Sequence, residues 1–451
     1  MVLEPATPGY EDARKIYNTR FDTIRPLAVA VCKSVGDVQA CVRFARANAV
    51  PLALRSGGHS YAGWSTGTGL VLDVSPLAAI SVGSGAVTVG AGARLVDVYD
   101  AVAAAGAGLA AGSCPSVGVT GLTLGGGIGV LTRAWGLTCD QLTNIDIVTA
   151  DGELRHCDQS NEPDLFWAAR GGGGGNFGVV TALRFTTHPV ADLALGFLTW
   201  PWSAAAAVVS GWQSWMAAAP DALWSTLHLE GGSAAPTIAV HAVQVGSAAE
   251  IKARLDALVT AVGAAPDYRE SGARSYRDVM LLEAGCLGRT VAACHLKGSA
   301  PGGELGRETY AAKSIVAERP LSSVAIATLV DGIAGASRPG VGGVAVLIDA
   351  LGGAVSRVAP DATAFPHRTA NVVLQLYGSW SADAAGDPTI AWLREIHGKA
   401  RPLIGTGAYV NYTDPDLVDW ANAYYGPNLP RLRAVKARYD PTRLFDFPQG
   451  V

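Results

Sequence analysis

Residues 34–60 read SVGDVQACVRFARANAVPLALRSGGHS, and three kinds of local signal follow one another in them. Ser34 stands where a helix N-cap belongs, and Val38, Cys41, Val42 and Ala45 recur at helical spacing, so a helix is expected to open at Ser34. PLALR, residues 51–55, is a short apolar run that reads as a strand, and it exits into the loop Ser56-Gly57-Gly58-His59. Further on, LVLDV (70–74) and VTVGAG (87–92) read as strands and residues 94–105 as a helix. The alternation implies a mixed α/β domain.

Two more glycine clusters lie at 125–129 (GGGIG) and 171–175 (GGGGG), each between segments that read as ordered. Glycine is entropically costly to order, so three glycine-rich turns in one domain point to backbone that approaches something closely. Plain turn chemistry accounts equally well for any one of them. Gly173, Gly175 and Gly178 form a literal G-x-G-x-x-G. A Rossmann fingerprint, however, follows a strand and opens a helix, because the helix N-terminus holds the pyrophosphate. Here PDLFWAAR before the glycines reads as helix and VVTALRF after them as strand. With the order reversed, Rossmann binding of NAD is not expected. Successive N–H groups in turns can still converge on an anion, and three such loops would suit one long dinucleotide. Arg55 is the only charge in the first loop.

From about residue 194 the character changes. TIAVHAVQV (237–245) and VGGVAVLID (341–349) read as strands, and a helix opens at Ser247 with Glu250 closing a capping box and Ile251, Leu255 and Leu258 on one face. Residues 194–409 are therefore expected to form a second α/β domain, a sheet covered by helices on one side. A chain of 451 residues is about three times the usual ~150-residue domain, which fits two large units. No stretch approaches the roughly 20 apolar residues of a membrane-spanning helix. The net charge of -4 and the lack of a dense Lys/Arg run leave no footprint for nucleic acid or anionic lipid, so a small molecule is the expected partner. Seven cysteines without a C-x-x-C pair argue against a metal site or a disulfide framework. The opening MVLEPATPGYEDARK lacks the basic and apolar regions of a secretory signal, which implies a cytoplasmic protein or one whose leader has been removed. Monomer and homodimer stay equally open.

At RSGGHSYAGWS (55–65) the chain resembles the flavin-attachment loop of the vanillyl alcohol oxidase superfamily, in its berberine bridge enzyme and oligosaccharide oxidase branch. The likeness continues through GSCPSVGVTGLTLGGGIGVLTRAWGLTCDQL (112–142), GGGGNFGVVT, AYVNYTDPDL (408–417) and YYGPNLPRLRAVKARYDPTRLFDFPQ (424–449). It implies an α+β, two-domain FAD-binding fold: residues 1–193, completed by 410–451, would bind FAD, and 194–409 would form a substrate domain with an antiparallel sheet covered by helices. It also implies two covalent bonds to FAD, from His59 to the 8α-methyl group and from Cys114 to ring carbon 6. An electron-poor isoalloxazine accepts attack by an imidazole nitrogen and a thiolate, and both substituents should make it a stronger hydride acceptor. Cys139 falls outside the C-P-x-V-G pattern and reads as structural.

The resemblance places further residues against the flavin. These are Arg55, Ser56, Gly57, Gly58 and Ser60 around His59, and Val117, Gly118 and Gly121 after Cys114. Gly125, Gly126, Gly127 and Gly129 follow, then Gly178 and Val180, and from the C-terminal segment Asn411, Tyr425 and Asn428. Tyr409 matches the catalytic base, Asp349 its supporting carboxylate, and Gln375 and Tyr61 substrate-contacting positions. As bare residues they read equally as a packed aromatic, a helix cap and ordinary polar side chains. A small residue at Val117 implies an oxygen path, hence an oxidase that passes electrons to O2. Oxidation of the anomeric hydroxyl of a mono- or oligosaccharide to a lactone with release of hydrogen peroxide is the leading expectation, and eleven tryptophans suit sugar rings. A tailoring oxidase acting on a secondary alcohol or amine is the alternative, and a catalytically silent flavin- or NAD-binding protein the third.

Overall fold

The computed structural model describes residues Met1–Val451. Ser34 caps the helix Val35–Asn48 through a capping box with Asp37, and Val38, Val42 and Ala45 are its buried face. The helix returns the chain to the strand Leu52–Arg55. That strand pairs in parallel with Leu70–Asp73, which also pairs in parallel with Ala28–Val31, and Val2–Leu3 closes the four-stranded sheet. A second sheet of five antiparallel strands runs in the order Ile80–Gly83, Ala86–Gly90, Val179–Thr186, Leu142–Val148, Leu154–Cys157. The helix Pro163–Ala168 precedes the third glycine cluster and the strand Val179–Thr186 follows it, as the sequence order requires.

Leu193–Trp200 opens a seven-stranded, wholly antiparallel sheet. Its order is Tyr268–Arg274, Leu193–Trp200, Thr237–Gln244, Leu223–Gly232, Gly343–Ala350, Val372–Trp380, Thr309–Ala317. Strand alternation sends Leu227, Leu229, Ile238, Val240, Val346, Ile348 and Leu374 to one face. There they pack against the helices Ala205–Ala217, Ala248–Val262, Ser323–Ala334 and Asp387–Ile404 through Val208, Trp212, Leu255, Leu258, Leu329 and Trp392. The opposite face carries Thr226, His228, His241, Asp349 and Gln375, and it is this polar face that borders the cavity described below.

The first core gathers residues from Ala30 to Leu195 and then Ala408, Tyr424, Leu432, Phe445 and Val451, so the last forty-odd residues pack with the first half of the chain. The helix Tyr276–Glu283, inside the 194–409 segment, also packs on this core: Tyr276 donates from its hydroxyl to the Leu109 carbonyl at 2.8 Å and Arg277 pairs with Asp100. Between the two cores, Arg368 is almost fully buried and donates to both carboxylate oxygens of Asp140 at 2.7 Å. Removing one partner of such a pair strands the other charge, so Arg368→Ala is expected to cost about 3–5 kcal/mol of unfolding free energy in denaturant titration. An unchanged midpoint would show the pair to be dispensable. One disulfide, Cys286–Cys294, joins residues eight apart, a covalent link the cysteine spacing did not disclose. No helix is long and apolar enough to cross a membrane.

Candidate active site

A cavity of about 510 Å³ begins among the glycine loops and ends on the polar face of the large sheet. At the loop end the backbones around His59 and Cys114 are pressed together: a Cβ on Gly57 would collide with the backbone nitrogen of Gly118, so only glycine permits the approach. Arg94 donates to the Ser56 carbonyl at 3.0 Å and the Ser56 hydroxyl to the Ala91 carbonyl at 2.6 Å, which ties the first loop down. The result brings His59 and Cys114 to one hydroxyl: Ser116 Oγ lies 3.0 Å from His59 Nε2 and 3.9 Å from Cys114 Sγ. Tyr17 stacks on the imidazole with ring centroids 4.0 Å apart. Burial, and then the Arg94 charge, push the His59 pKa down to about 3, so the ring is neutral and keeps a lone pair for attack. Burial pushes the Cys114 thiol up, opposed by hydrogen bonds from the Ser116 hydroxyl and N–H.

The loops fit a dinucleotide on their own evidence. The N–H groups of Gly57, Gly58, His59 and Ser60 donate to nothing within the chain, and neither do those of Gly174, Gly175 and Asn176. Such runs of free N–H groups are anion-holding nests. A Cβ on Gly121 would meet no atom within 4 Å, and that glycine lines the cavity, so its missing side chain leaves room for a bound group. Gly118, Gly129, Gly178, Val117 and Val180 line the same space, as do Tyr425 and Asn411.

Some expected positions lie elsewhere. The backbone at Gly125, Gly126 and Gly127 is pressed on Asn411, Phe365 and Thr138 and does not reach the cavity. Asn428 spends its amide on the carbonyls of Pro360, Thr363 and Ala364. Arg55 lines the cavity with its stem, but its guanidinium donates to the carbonyls of Ala13, Arg14 and Ser65 and pairs with Asp73, so it braces the loop and faces no phosphate.

At the sheet end, Gln375 donates to the Tyr61 hydroxyl at 2.8 Å, and Tyr61 stacks on Tyr412 at 5.4 Å. Tyr409 lines the cavity as well, but its hydroxyl is engaged by the scaffold. Its phenol oxygen accepts from Gly127 N–H at 3.0 Å, Ile128 N–H at 3.2 Å and Asn411 Nδ2 at 2.8 Å, so every lone pair is committed to the scaffold. Burial pushes its pKa up to about 12. Tyr412, three residues on, lines the cavity and its hydroxyl makes no hydrogen bond within the chain. Burial raises its pKa, and the Asp349 charge raises it further, which puts carboxylate and phenol in the same field. Asp349 is itself raised, chiefly by burial. Tyr17, Ser116 and Tyr412 were not singled out in the sequence; only Tyr412 carried a local signal, as the second tyrosine of the AYVNY stretch.

Comparison with known proteins agrees with this layout. Residues 26–158 match the FAD binding domain family, and residues 408–451 match the family described as berberine and berberine like. The chain is 34% identical, over 98% of its length and 95% of the relative's, to an uncharacterized FAD-linked oxidoreductase of Bacillus subtilis (strain 168). It is 29% identical to chitooligosaccharide oxidase of Gibberella zeae over 96% of this chain and 89% of that one. The solved structure of a berberine bridge enzyme-like protein from Physcomitrella patens superposes with a TM-score of 0.91, covering 100% of this chain and 96% of that one at 27% identity.

Proposed function

Because the chain belongs to the berberine bridge enzyme-like family of FAD-dependent oxidoreductases, we propose that it is an alcohol oxidase whose FAD is held by His59 and Cys114 and whose substrate hydroxyl is deprotonated by Tyr412. The observation that carries this reading is the meeting of His59 and Cys114 at the Ser116 hydroxyl, in the cavity that Tyr412, Asp349, Gln375 and Tyr61 also line. FAD, when bound, supplies a hydride acceptor that O2 can reoxidise, with hydrogen peroxide as product. The chain supplies the rest. Tyr412 takes the proton of the substrate hydroxyl while its own passes to the ionised Asp349 through a water between them, since no direct hydrogen bond joins the two, so the pair never carries two negative charges. Gln375, through its bond to Tyr61, fixes the ring that stacks on Tyr412 and so sets the direction of the base.

The anomeric hydroxyl of a mono- or oligosaccharide is the substrate favoured here, supported by the polar sheet face and by the chitooligosaccharide oxidase likeness. A secondary alcohol or amine of a larger natural product is the alternative. Peroxide release measured over a panel of sugars and secondary alcohols decides between them, and no peroxide with any alcohol would refute the oxidase. Val117 lines the cavity beside Cys114, and its small side chain is the reason for expecting oxygen to reach the flavin there. Val117→Leu is expected to slow reoxidation of the reduced flavin by O2 more than about tenfold, or ~1.4 kcal/mol on that barrier, with flavin reduction little changed. Stopped-flow mixing of the reduced enzyme with oxygenated buffer reads this directly.

A further inference from the structure

Beyond Asp349 the cavity continues along the inner face of the large sheet, lined by Trp224, Thr226 and His228 from one strand, His241 from the next, and Glu283 at the end of the helix Tyr276–Glu283. The His228 and His241 rings stack with centroids 4.9 Å apart, and Phe197 meets His241 edge-on at 4.7 Å. Each imidazole stands near a carboxylate: His228 Nδ1 lies 3.6 Å from Glu230, and His241 Nδ1 lies 3.6 Å from Glu283. One polar group in the same wall is buried and unpaired, the Trp224 indole N–H, on a side chain only 3% exposed, while the Thr226 hydroxyl sits against Asp349 across the strand pair. Buried polar groups without partners point to something that completes them.

The charge is one-sided. No lysine lines the cavity, and its one arginine, Arg55, is spent on carbonyls and Asp73 at the other end. The substrate end therefore offers the carboxylates of Glu283 and Asp349, against one dedicated donor, Trp224 N–H. A neutral polyol, with as many acceptors as donors, matches this wall poorly, and an acidic sugar is repelled by it. A ligand with several N–H donors, a positive charge and an adjacent oxygen for Trp224 matches it on every count.

On the oxidase reading above, we propose that this wall is a subsite for a protonated amine, so that the preferred substrate is an amino-bearing alcohol such as an amino sugar unit, with its ammonium against Glu283 and a neighbouring oxygen at Trp224 Nε1. The test uses the purified protein with its native flavin. Initial rates of peroxide release are compared for glucosamine, glucose and glucuronate, and binding of the 1-deoxy analogues of glucosamine and glucose, which lack the anomeric hydroxyl, is followed by calorimetry. A charge-assisted contact predicts kcat/KM and affinity about 10-fold or more higher for the amine than for its neutral counterpart, with glucuronate lowest. Glu283→Gln should collapse that ratio to near one. His241→Gln, which leaves Glu283 in place, should lower it less and serves if the first variant does not fold. Equal binding of the two 1-deoxy analogues, or a preference that survives Glu283→Gln, overturns the subsite while leaving the oxidase intact. An enzyme that binds the amine selectively but oxidises neither sugar supports the subsite and counts against the anomeric reaction instead.

Discussion

Tyr412→Phe is expected to lower the rate of flavin reduction by alcohol by about 10³-fold, the scale of general base catalysis, while the protein keeps its flavin and its thermal midpoint. The phenol oxygen of Tyr412 has no partner in the scaffold, so nothing is left unsatisfied when it goes. Tyr409→Phe is expected to behave in the opposite way. It strands Gly127 N–H and Ile128 N–H, each a buried donor worth about 1–3 kcal/mol when unpaired, leaves Asn411 Nδ2 with only the Leu122 carbonyl, and should lower the midpoint by several degrees. Anaerobic stopped-flow reduction beside a melting curve separates the two, and a folded Tyr412→Phe enzyme with unaltered reduction would return the base to Tyr409. The pH profile carries the same information. Asp349, raised by burial, must be ionised to receive the proton, so the rate of reduction should fall as pH drops through its elevated pKa. Asp349→Asn should flatten that limb at a much lower rate.

The second large effect concerns attachment. Intact-mass measurement of the wild-type chain should show the full added mass of FAD, and acid precipitation should leave the colour in the pellet. His59→Ala and Cys114→Ala should each keep the flavin through the remaining bond, and the double variant should release it to the acid supernatant. Neutral His59 beside Ser116 and Cys114 at the same hydroxyl make both bonds available from one end of the cavity. A double variant that still carries covalent flavin would move attachment elsewhere, with buried Cys139 the residue to examine. A wild-type chain without added mass would remove the covalent reading altogether.

Features that depend on neighbours along the chain were legible early. The Ser34 N-cap, the Ser247–Glu250 capping box and the strands read within 237–245 and 341–349 fall where local signals put them, the last observed as Gly343–Ala350. The reversed helix–glycine–strand order around Gly173 to Gly178 excluded the Rossmann reading for the same local reason. The glycine loops were harder to apportion, because a glycine that lets a ligand in and a glycine that lets a distant side chain in look alike in one dimension. Gly121 is the first kind, and Gly125, pressed on Asn411, is the second.

The sequence by itself therefore determined the order of helices, strands and glycine loops, and through its motifs the two side chains suited to hold a flavin, since these depend on spacing of a few residues. Both tyrosines of AYVNY line the cavity, and which of them keeps its hydroxyl free of the scaffold was decided only by tertiary structure. Tyr409 and Tyr412 share one tight turn, the Tyr412 N–H donating to the Tyr409 carbonyl at 2.9 Å, and local geometry treats them alike. Their difference comes from far away in the chain: free N–H groups at Gly127 and Ile128 capture one phenol, and Tyr61 with Gln375 and Asp349 flank the other. Contacts across such separations are set by how the two cores pack, and no period or motif records them.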